Sequence, residues 1–407
     1  MITKENAHSW CVNAEHGMSA NNTGTTKMCC MIKDAYNDLD PDVEPIYIIG
    51  ESKIQQNFNN PIAQRIRENL KNGVRDDACS LCWQEEDGGR KSKRQRDNER
   101  YLHELTYKQI EEYQGLAKFE LNLGNTCNIS CRTCHATISS GWMREEYDLN
   151  HSANKTYKEY AETMKRYHKT YDEDSAFWPD LLDNLKTIRQ FDFYGGEPFL
   201  SKKMWEVLQI CIDRGYAKDI ELHYNTNGTS WPKEIELWKQ FKQINLSFSI
   251  DGISDTFEYM RHPAEWETVK QNMQRAKQLA TENGNMSLSW CVTLSSLNIY
   301  DLPDIVAEYE QNFNEFGIYL NLVHNPNHFN ISTMPDTVKK QTAEHLNSRL
   351  SNIDSVKYQL PGILGFMNNG AYDKTAWNNF KHYVSKHDAY RKQDFYATFE
   401  EFGKIVG

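Results

Sequence analysis

The chain has 407 residues, of which 39% are apolar and 25% charged, with 10 Trp, 22 Tyr and 17 Phe. That is enough for a barrel-sized domain with one or two smaller units, and it excludes both a disordered chain and a single small module. A net charge of −11 argues against a nucleic-acid partner, because such affinity rests on neutralising phosphates.

No apolar run approaches the roughly 18 residues of a membrane span. The start, MITKENAHSW, lacks a signal peptide's basic-then-apolar order, which predicts a protein that stays in the cytoplasm, with no membrane partner. The 10 cysteines stand at 11, 29, 30, 79, 82, 127, 131, 134, 211 and 291, and the first eight are clustered at ligand-like positions. Without a secretory signal, that usage predicts metal chemistry in a reducing compartment rather than disulfides.

Residues 1–100 read as a separate unit built around Cys11, the pair Cys29 and Cys30, and Cys79-x2-Cys82. The small, polar stretch between Cys11 and Cys29 predicts two short strands joined by a turn. A helix follows in PIAQRIRENLKNG, with Pro61 at its start, Ile62, Ile66 and Leu70 spaced by four, and Asn72 with Gly73 as a stop. The run 89–100, GRKSKRQRDNER, carries six basic and two acidic residues and reads as a solvated helix face or turn.

At 119–134 the chain reads FELNLGNTCNISCRTC. Phe119, Leu121 and Leu123 alternate with Glu120 and Asn122, the pattern of a half-buried strand, and Gly124 with Asn125 breaks it. Three cysteines in eight residues are too close for a relaxed disulfide framework and one ligand short of a closed tetrahedral zinc site. They suit a metal centre that keeps one position open, since three thiolates on an iron–sulfur cubane leave one iron free. A cysteine-rich turn or an incomplete zinc knuckle is the alternative.

Further strand-like runs follow at 188–194, 219–224, 244–250, 286–294 and 316–323, with helical stretches in most gaps. The clearest helix is 264–282, where Trp266, Val269, Met273, Ala276 and Leu279 step at helical spacing. Six such units predict an α/β fold: a parallel sheet curved into a partial (β/α)6 TIM-like barrel over 101–330, with its site at the C-terminal strand ends. A polar, Tyr-rich insertion at 152–177 reads as a solvated helix. Residues 331–407 read as a helical C-terminal cap, with helices near 336–351 and 374–386 and Gly and Pro at 361–365 between them. Cys211, Cys291 and His135 have no partners at ligand spacing and read as packed structural residues.

Cys127-x3-Cys131-x2-Cys134 after a strand resembles the signature of the radical S-adenosylmethionine (SAM) superfamily. The residue before the third cysteine, aromatic in most of that family, is Thr133 here. DFYGGEPFL at 192–200 resembles the family's GGEP motif, which implies that Gly195, Gly196 and Glu197 contact the amino group of SAM. Asn225, Thr226 and Asn227 resemble the element lining the SAM pocket, and Ser249 with Asp251 the polar strand end near ribose and carboxylate. Arg261 matches an arginine that pairs with the SAM carboxylate.

The segment CSLCWQEEDGGRKSKR resembles the twitch or shortened SPASM module, with Cys79, Cys82, Trp83, Glu86, Gly89, Ser92 and Arg94 at the marked positions, although here it precedes the barrel.

The resemblance implies a [4Fe-4S] cluster on Cys127, Cys131 and Cys134 with SAM at the free iron, and reductive cleavage of SAM to a 5′-deoxyadenosyl radical that abstracts hydrogen from a substrate. It also implies a second, auxiliary [4Fe-4S] cluster on Cys11, Cys29, Cys79 and Cys82, with Cys30 a rival for Cys29. An electron donor such as flavodoxin or ferredoxin is the implied partner, and a peptide or protein the leading substrate, with a small molecule the rival. Sulfur insertion using the auxiliary cluster, or a non-enzymatic zinc-bearing protein, are the other readings.

Overall fold

The computed structural model describes residues 8–32, 47–87, 91–104, 113 and 115–407. Gly89 of the CSLC segment and residues 1–7, read above for a leader, lie outside the described residues. The strands are β1 (Gly17–Ala20), β2 (Thr26–Lys27), β3 (Lys118–Asn122), β4 (Gln190–Tyr194), β5 (Glu221–Thr226), β6 (Gln243–Ser249), β7 (Met286–Leu294) and β8 (Gly317–Leu322). They form one 8-stranded sheet in the order β2-β1-β3-β4-β5-β6-β7-β8. The six strands β3 to β8 are the six expected from the sequence, each within about two residues of its expected bounds, and helices separate them as a partial (β/α)6 arrangement requires.

The helices that matter below are α1 (Pro61–Lys71), α2 (Ser80–Asp87), α3 (Lys93–Glu104), α4 (Met143–Asn150), α5 (Lys202–Asp213), α6 (Trp266–Asn283), α7 (Leu302–Asn312), α8 (Asp336–Leu350) and α9 (Lys374–Arg391). Helix α1 starts where the sequence placed it: Asn60 Oδ1 accepts the Ala63 N–H at 2.9 Å, and Pro61 sits in the first turn, where its missing N–H is not needed. Helix α6 ends at Gly284, whose φ of +69° is the left-handed conformation of a helix stop. Among the described residues, no helix is long and apolar enough to cross a membrane.

The chain divides into two compact units, 1–126 with 161–224 and 236–244, and 127–160 with 225–235 and 245–407. In the first, β3 pairs in parallel with β1 on one side and β4 on the other, and β1 and β2 form the expected short antiparallel pair. Phe119, Leu121, Phe191, Phe193, Leu222 and Tyr224 fill one face. The opposite face is also buried, which a half-buried strand pattern does not foresee, and it is charged: Lys118 Nζ lies 3.1 Å from Asp97, 3.4 Å from Glu120 and 3.4 Å from Asp192. Helix α3 covers that face. Its Tyr101 hydroxyl donates to Gln190 at 2.9 Å, and its Lys93 meets Glu120 at 3.1 Å.

The described part of the basic run at 89–100 is therefore helical, but several of its charges face strand carboxylates rather than solvent. Burial opposes the charged forms, yet the pairing prevails and holds Lys118 well above the usual lysine range and Asp97 well below the usual carboxylate range.

In the second unit β7 and β8 pair in parallel from Ser289 with Gly317 to Leu294 with Leu322. Cys291 is buried on β7 and accepts a hydrogen bond from Asn321 at 3.2 Å, and Cys211 is buried in α5 of the first unit, as expected for packed thiols. Two local expectations fail. His135 is exposed, with Nδ1 2.7 Å from the Thr137 hydroxyl, because the turn after Cys134 carries it outward. The Gly- and Pro-containing stretch between the C-terminal helices is itself a helix, Leu360–Asn369, since Pro361 falls in its first turn. Within the 152–177 insertion Tyr157–Met164 is α-helical, and Phe177 opens the next helix.

Candidate functional site

The cysteine loop leaves β3 through Gly124, whose φ is +88°. Its backbone is held at almost every residue. Ser140 Oγ lies 3.0 Å from both the N–H and the carbonyl of Cys127. The N–H groups of Ser130 and Arg132 donate to the carbonyls of His262 and Met260 at 2.6 and 2.7 Å, a short strand-like pairing. Trp142 Nε1 donates to the Cys131 carbonyl at 2.8 Å, and the Cys134 N–H to the same carbonyl at 3.0 Å.

Helix α9 supplies a second layer of support. Arg132 is fully buried, its Nη2 is 2.5 Å from Asp388 Oδ1 and 2.8 Å from Gln393, and its guanidinium lies 4.1 Å from the centre of the Tyr259 ring. The Tyr383 hydroxyl donates to the Arg132 carbonyl at 2.7 Å. Beside it, Glu145 of α4 joins His387 at 2.5 Å and Arg391 at 2.8 Å. These supports come from more than 240 residues downstream and carry no motif, so only the tail's expected role as a cap pointed toward them.

The thiols differ in acidity. Cys131 is lowered to about 7, first by its hydrogen bond with Cys134 and then by the Arg261 guanidinium, against the effect of burial. Cys134 is pushed up by that same hydrogen bond and by burial. Three thiols in one loop beside a buried cation form a soft donor set suited to a cluster held by thiolates.

Strand ends of the same unit surround the loop. Asn227 Nδ2 lies 3.8 Å from Cys127 Sγ and 3.0 Å from Asn128 Oδ1, while its Oδ1 caps the turn by accepting the Thr229 N–H at 2.9 Å. Thr226 Oγ1 accepts the Gly228 N–H at 3.1 Å, and Asn225 Oδ1 lies 3.3 Å from the Tyr319 hydroxyl. Asp251, just past the end of β6, pairs with Arg261 Nη1 at 2.5 Å and accepts the Thr293 N–H at 3.0 Å. Arg261 Nε is buried without a partner. Ser249 is half-buried at the end of β6.

Gly195 and Gly196 follow β4 in the first unit with φ of +83° and +53°. A Cβ at Gly195 would stand 1.6 Å from Asn122 Oδ1, and one at Gly196 2.2 Å from the Thr126 carbonyl oxygen, so no side chain fits at either. That carbonyl accepts the Glu197 N–H at 2.8 Å, which ties the glycine turn to the residue just before Cys127. Glu197 is buried, and its Oε1 accepts the Phe199 N–H at 3.2 Å.

The amino-terminal cysteines converge separately. Cys11, Cys29, Cys79 and Cys82 line one cavity with Ala14, Met28 and Arg94, and Cys30 does not. Burial pushes Cys11 up to about 11 and raises Cys79 and Cys82 as well. The CSLC segment explains its own spacing: Glu86 accepts two hydrogen bonds from Arg94, at 2.9 and 2.7 Å, and one from Ser92 at 2.6 Å. Arg94 also donates to the Trp10 carbonyl at 2.7 Å and lies 4.8 Å from the centre of the Trp83 ring. Trp83 Nε1 donates to the Asp76 carbonyl at 2.9 Å. A cavity lined by four soft donors and otherwise largely apolar fits a thiolate-bound cluster.

Residues 121–306 match the radical SAM superfamily. The matched stretch holds the three-cysteine loop, the glycine pair and the strand ends just described. The sporulation killing factor maturation protein SkfB of Bacillus subtilis (strain 168) is 24% identical over 193 residues, which are 46% of this chain and 38% of SkfB. The chain thus aligns with well under half the length of that relative.

Two solved structures are similar to this chain. Streptococcus suis SuiB bound to S-adenosylmethionine gives a TM-score of 0.38 at 13% identity, covering 71% of this chain and 63% of SuiB. Native anSMEcpe with bound AdoMet and Cp18Cys peptide gives 0.34 at 16% identity, covering 63% and 62%.

Proposed function

We propose that the chain is a radical SAM enzyme that reductively cleaves SAM at a [4Fe-4S] cluster held by Cys127, Cys131 and Cys134, and that it modifies a peptide or protein. The observation that carries this reading is the three-thiol loop, fixed at its backbone by Ser140, Trp142 and the 260–262 segment, inside the stretch that matches the radical SAM superfamily. When bound, the cluster and SAM supply the electron transfer and the 5′-deoxyadenosyl radical that abstracts hydrogen from the substrate.

The chain's own residues bind and orient. Gly195 and Gly196 bare the backbone so that the SAM amino group can approach it and Glu197. Asn225, Thr226, Asn227, Ser249 and Asp251 form the polar lining. Arg261, held by Asp251 and with a buried Nε free to donate, receives the SAM carboxylate.

Cys11, Cys29, Cys79 and Cys82 hold the auxiliary [4Fe-4S] cluster of a twitch-like module. The absence of Cys30 from the cavity lining favours Cys29 as the fourth ligand. The proposed organisation is an auxiliary-cluster module at 1–100, a partial barrel at 101–330 and a cap at 331–407, working in the cytoplasm with a flavodoxin- or ferredoxin-like electron donor. SkfB is named as a maturation protein, which supports a peptide substrate over a small molecule.

The test is 5′-deoxyadenosine release by the anaerobically reconstituted protein. Cys127→Ala abolishes release and leaves the amino-terminal cluster's iron in place if the reading holds. Undiminished release by that variant contradicts it.

A further inference from the structure

Beside the four-cysteine cavity lies a second constellation. The chain leaving β2 runs antiparallel to β1, which itself pairs with β3, so Lys27, Ser19 and Glu120 stand side by side across three strands. That arrangement brings Cys29 and Cys30 back to Glu120. The Cys30 N–H donates to Glu120 Oε2 at 3.1 Å, and the ligand atoms of Cys29, Cys30 and Glu120 all lie within 4.8 Å of one another. Two atoms bound tetrahedrally to one zinc ion stand about 3.6–3.8 Å apart at ordinary bond lengths. Side-chain rotation of about an ångström closes the difference, and Cys30 is exposed and able to turn.

The polar surroundings suit a cation that takes thiolates. Glu120 is buried on β3, and its Oε1 is occupied by Lys93 at 3.1 Å and Lys118 at 3.4 Å. Those lysines pair with one carboxylate oxygen and leave Oε2 on the side of Cys30, whose N–H it accepts. They also offset the excess negative charge of two thiolates and a carboxylate around a divalent ion. The ligand set is two soft sulfurs and one oxygen, with Cys30 exposed to solvent, and that combination selects a thiophilic divalent ion over magnesium or calcium.

We propose that Cys29, Cys30 and Glu120 form a binding site for a thiophilic divalent cation of the zinc type, separate from the four-cysteine cavity and sharing only Cys29 with it. Binding displaces protons from the two thiols. The consequence of sharing rests on the auxiliary-cluster reading above: with Cys29 on the ion, the cavity keeps three thiols, so the ion and a fully ligated auxiliary cluster exclude one another. The ion site itself does not depend on that reading.

The experiment uses the metal-free full-length protein, kept anaerobic and reduced, with Co2+ as the probe through its thiolate charge-transfer absorption and Zn2+ as competitor. Wild type takes up Co2+ with thiolate absorption, Zn2+ displaces it, and Zn2+ raises the melting temperature. In the Cys79→Ala/Cys82→Ala background, which disables the four-cysteine cavity, Cys30→Ala and Glu120→Gln each weaken Zn2+ at least about tenfold and reduce the Zn2+-dependent rise in melting temperature. The double variant Cys79→Ala/Cys82→Ala retains the absorption.

Absence of thiolate absorption in wild type overturns the proposal. So does a signal lost in Cys79→Ala/Cys82→Ala but kept in Cys30→Ala, which would assign the ion to the cavity. Iron content of reconstituted Cys30→Ala reports separately on the auxiliary cluster: it stays at the wild-type level if Cys29 is the cluster ligand, whatever the Co2+ result.

Discussion

At the scale of single residues, one atom decides the outcome at several positions. Gly196→Ala places a Cβ 2.2 Å from the Thr126 carbonyl oxygen at a φ of +53°, so the turn must shift next to Cys127. We expect at least a tenfold loss of 5′-deoxyadenosine release with the amino-terminal cluster's iron retained, measured on the reconstituted variant. Asp301 gives a pH test independent of any metal. Burial, with Asp304 and Glu401 nearby, pushes its carboxyl up to about 7.

The folded protein therefore holds that proton more tightly than the unfolded chain, and Asp301's contribution to stability falls as pH rises from about 4 to 7. Asp301→Asn removes this slope. Urea unfolding at pH 5 and pH 8 should show the variant gaining stability relative to wild type at the higher pH, and an unchanged difference between the two would contradict the assignment.

The clustering of the three cysteines in one loop and the paired glycines were legible at this scale, because close spacing and a left-handed φ leave direct marks in sequence. The Asn227 contact with Cys127 was legible only as a turn motif, and the exposure of His135 was not legible, since neither follows from composition or period.

At the scale of elements, the alternating pattern located the strands but misjudged what covers them. Lys118, Glu120 and Asp192 look like solvent-facing positions, and α3 looks like a solvated helix, because paired buried charges read as hydrophilic on both partners. The clamp from α9 was hidden for another reason: Asp388 meets Arg132 only through tertiary folding. Asp388→Ala leaves a fully buried arginine without its counter-charge. Such a loss costs on the order of 3–5 kcal/mol and should loosen the cysteine loop, read as a lowered unfolding midpoint together with reduced iron retention.

Glu86 of α2 and Arg94 of α3 form a buried bidentate pair. Glu86→Gln is expected to destabilise the amino-terminal part by a comparable ~3 kcal/mol. Protease susceptibility of residues 8–104 at fixed temperature would report it, with no change expected in the Cys127 loop.

At the scale of the whole molecule, six β/α units place the cysteine loop and the glycine turn at the ends of adjacent strands, β3 and β4, as the sequence order alone foretold. The helical carboxyl-terminal region was foretold too, but its internal helix at Leu360–Asn369 was masked by proline and glycine. The central claim is that the chain carries two thiolate-bound iron–sulfur clusters, one of which cleaves SAM.

The most direct measurement is iron, sulfide and zinc quantification on the anaerobically purified and reconstituted full-length protein, paired with 5′-deoxyadenosine release in the presence of SAM and a reductant. The account predicts about eight irons and eight sulfides per chain, little zinc and SAM cleavage. About four irons would contradict the two-cluster arrangement, and stoichiometric zinc with no 5′-deoxyadenosine would contradict the enzyme itself.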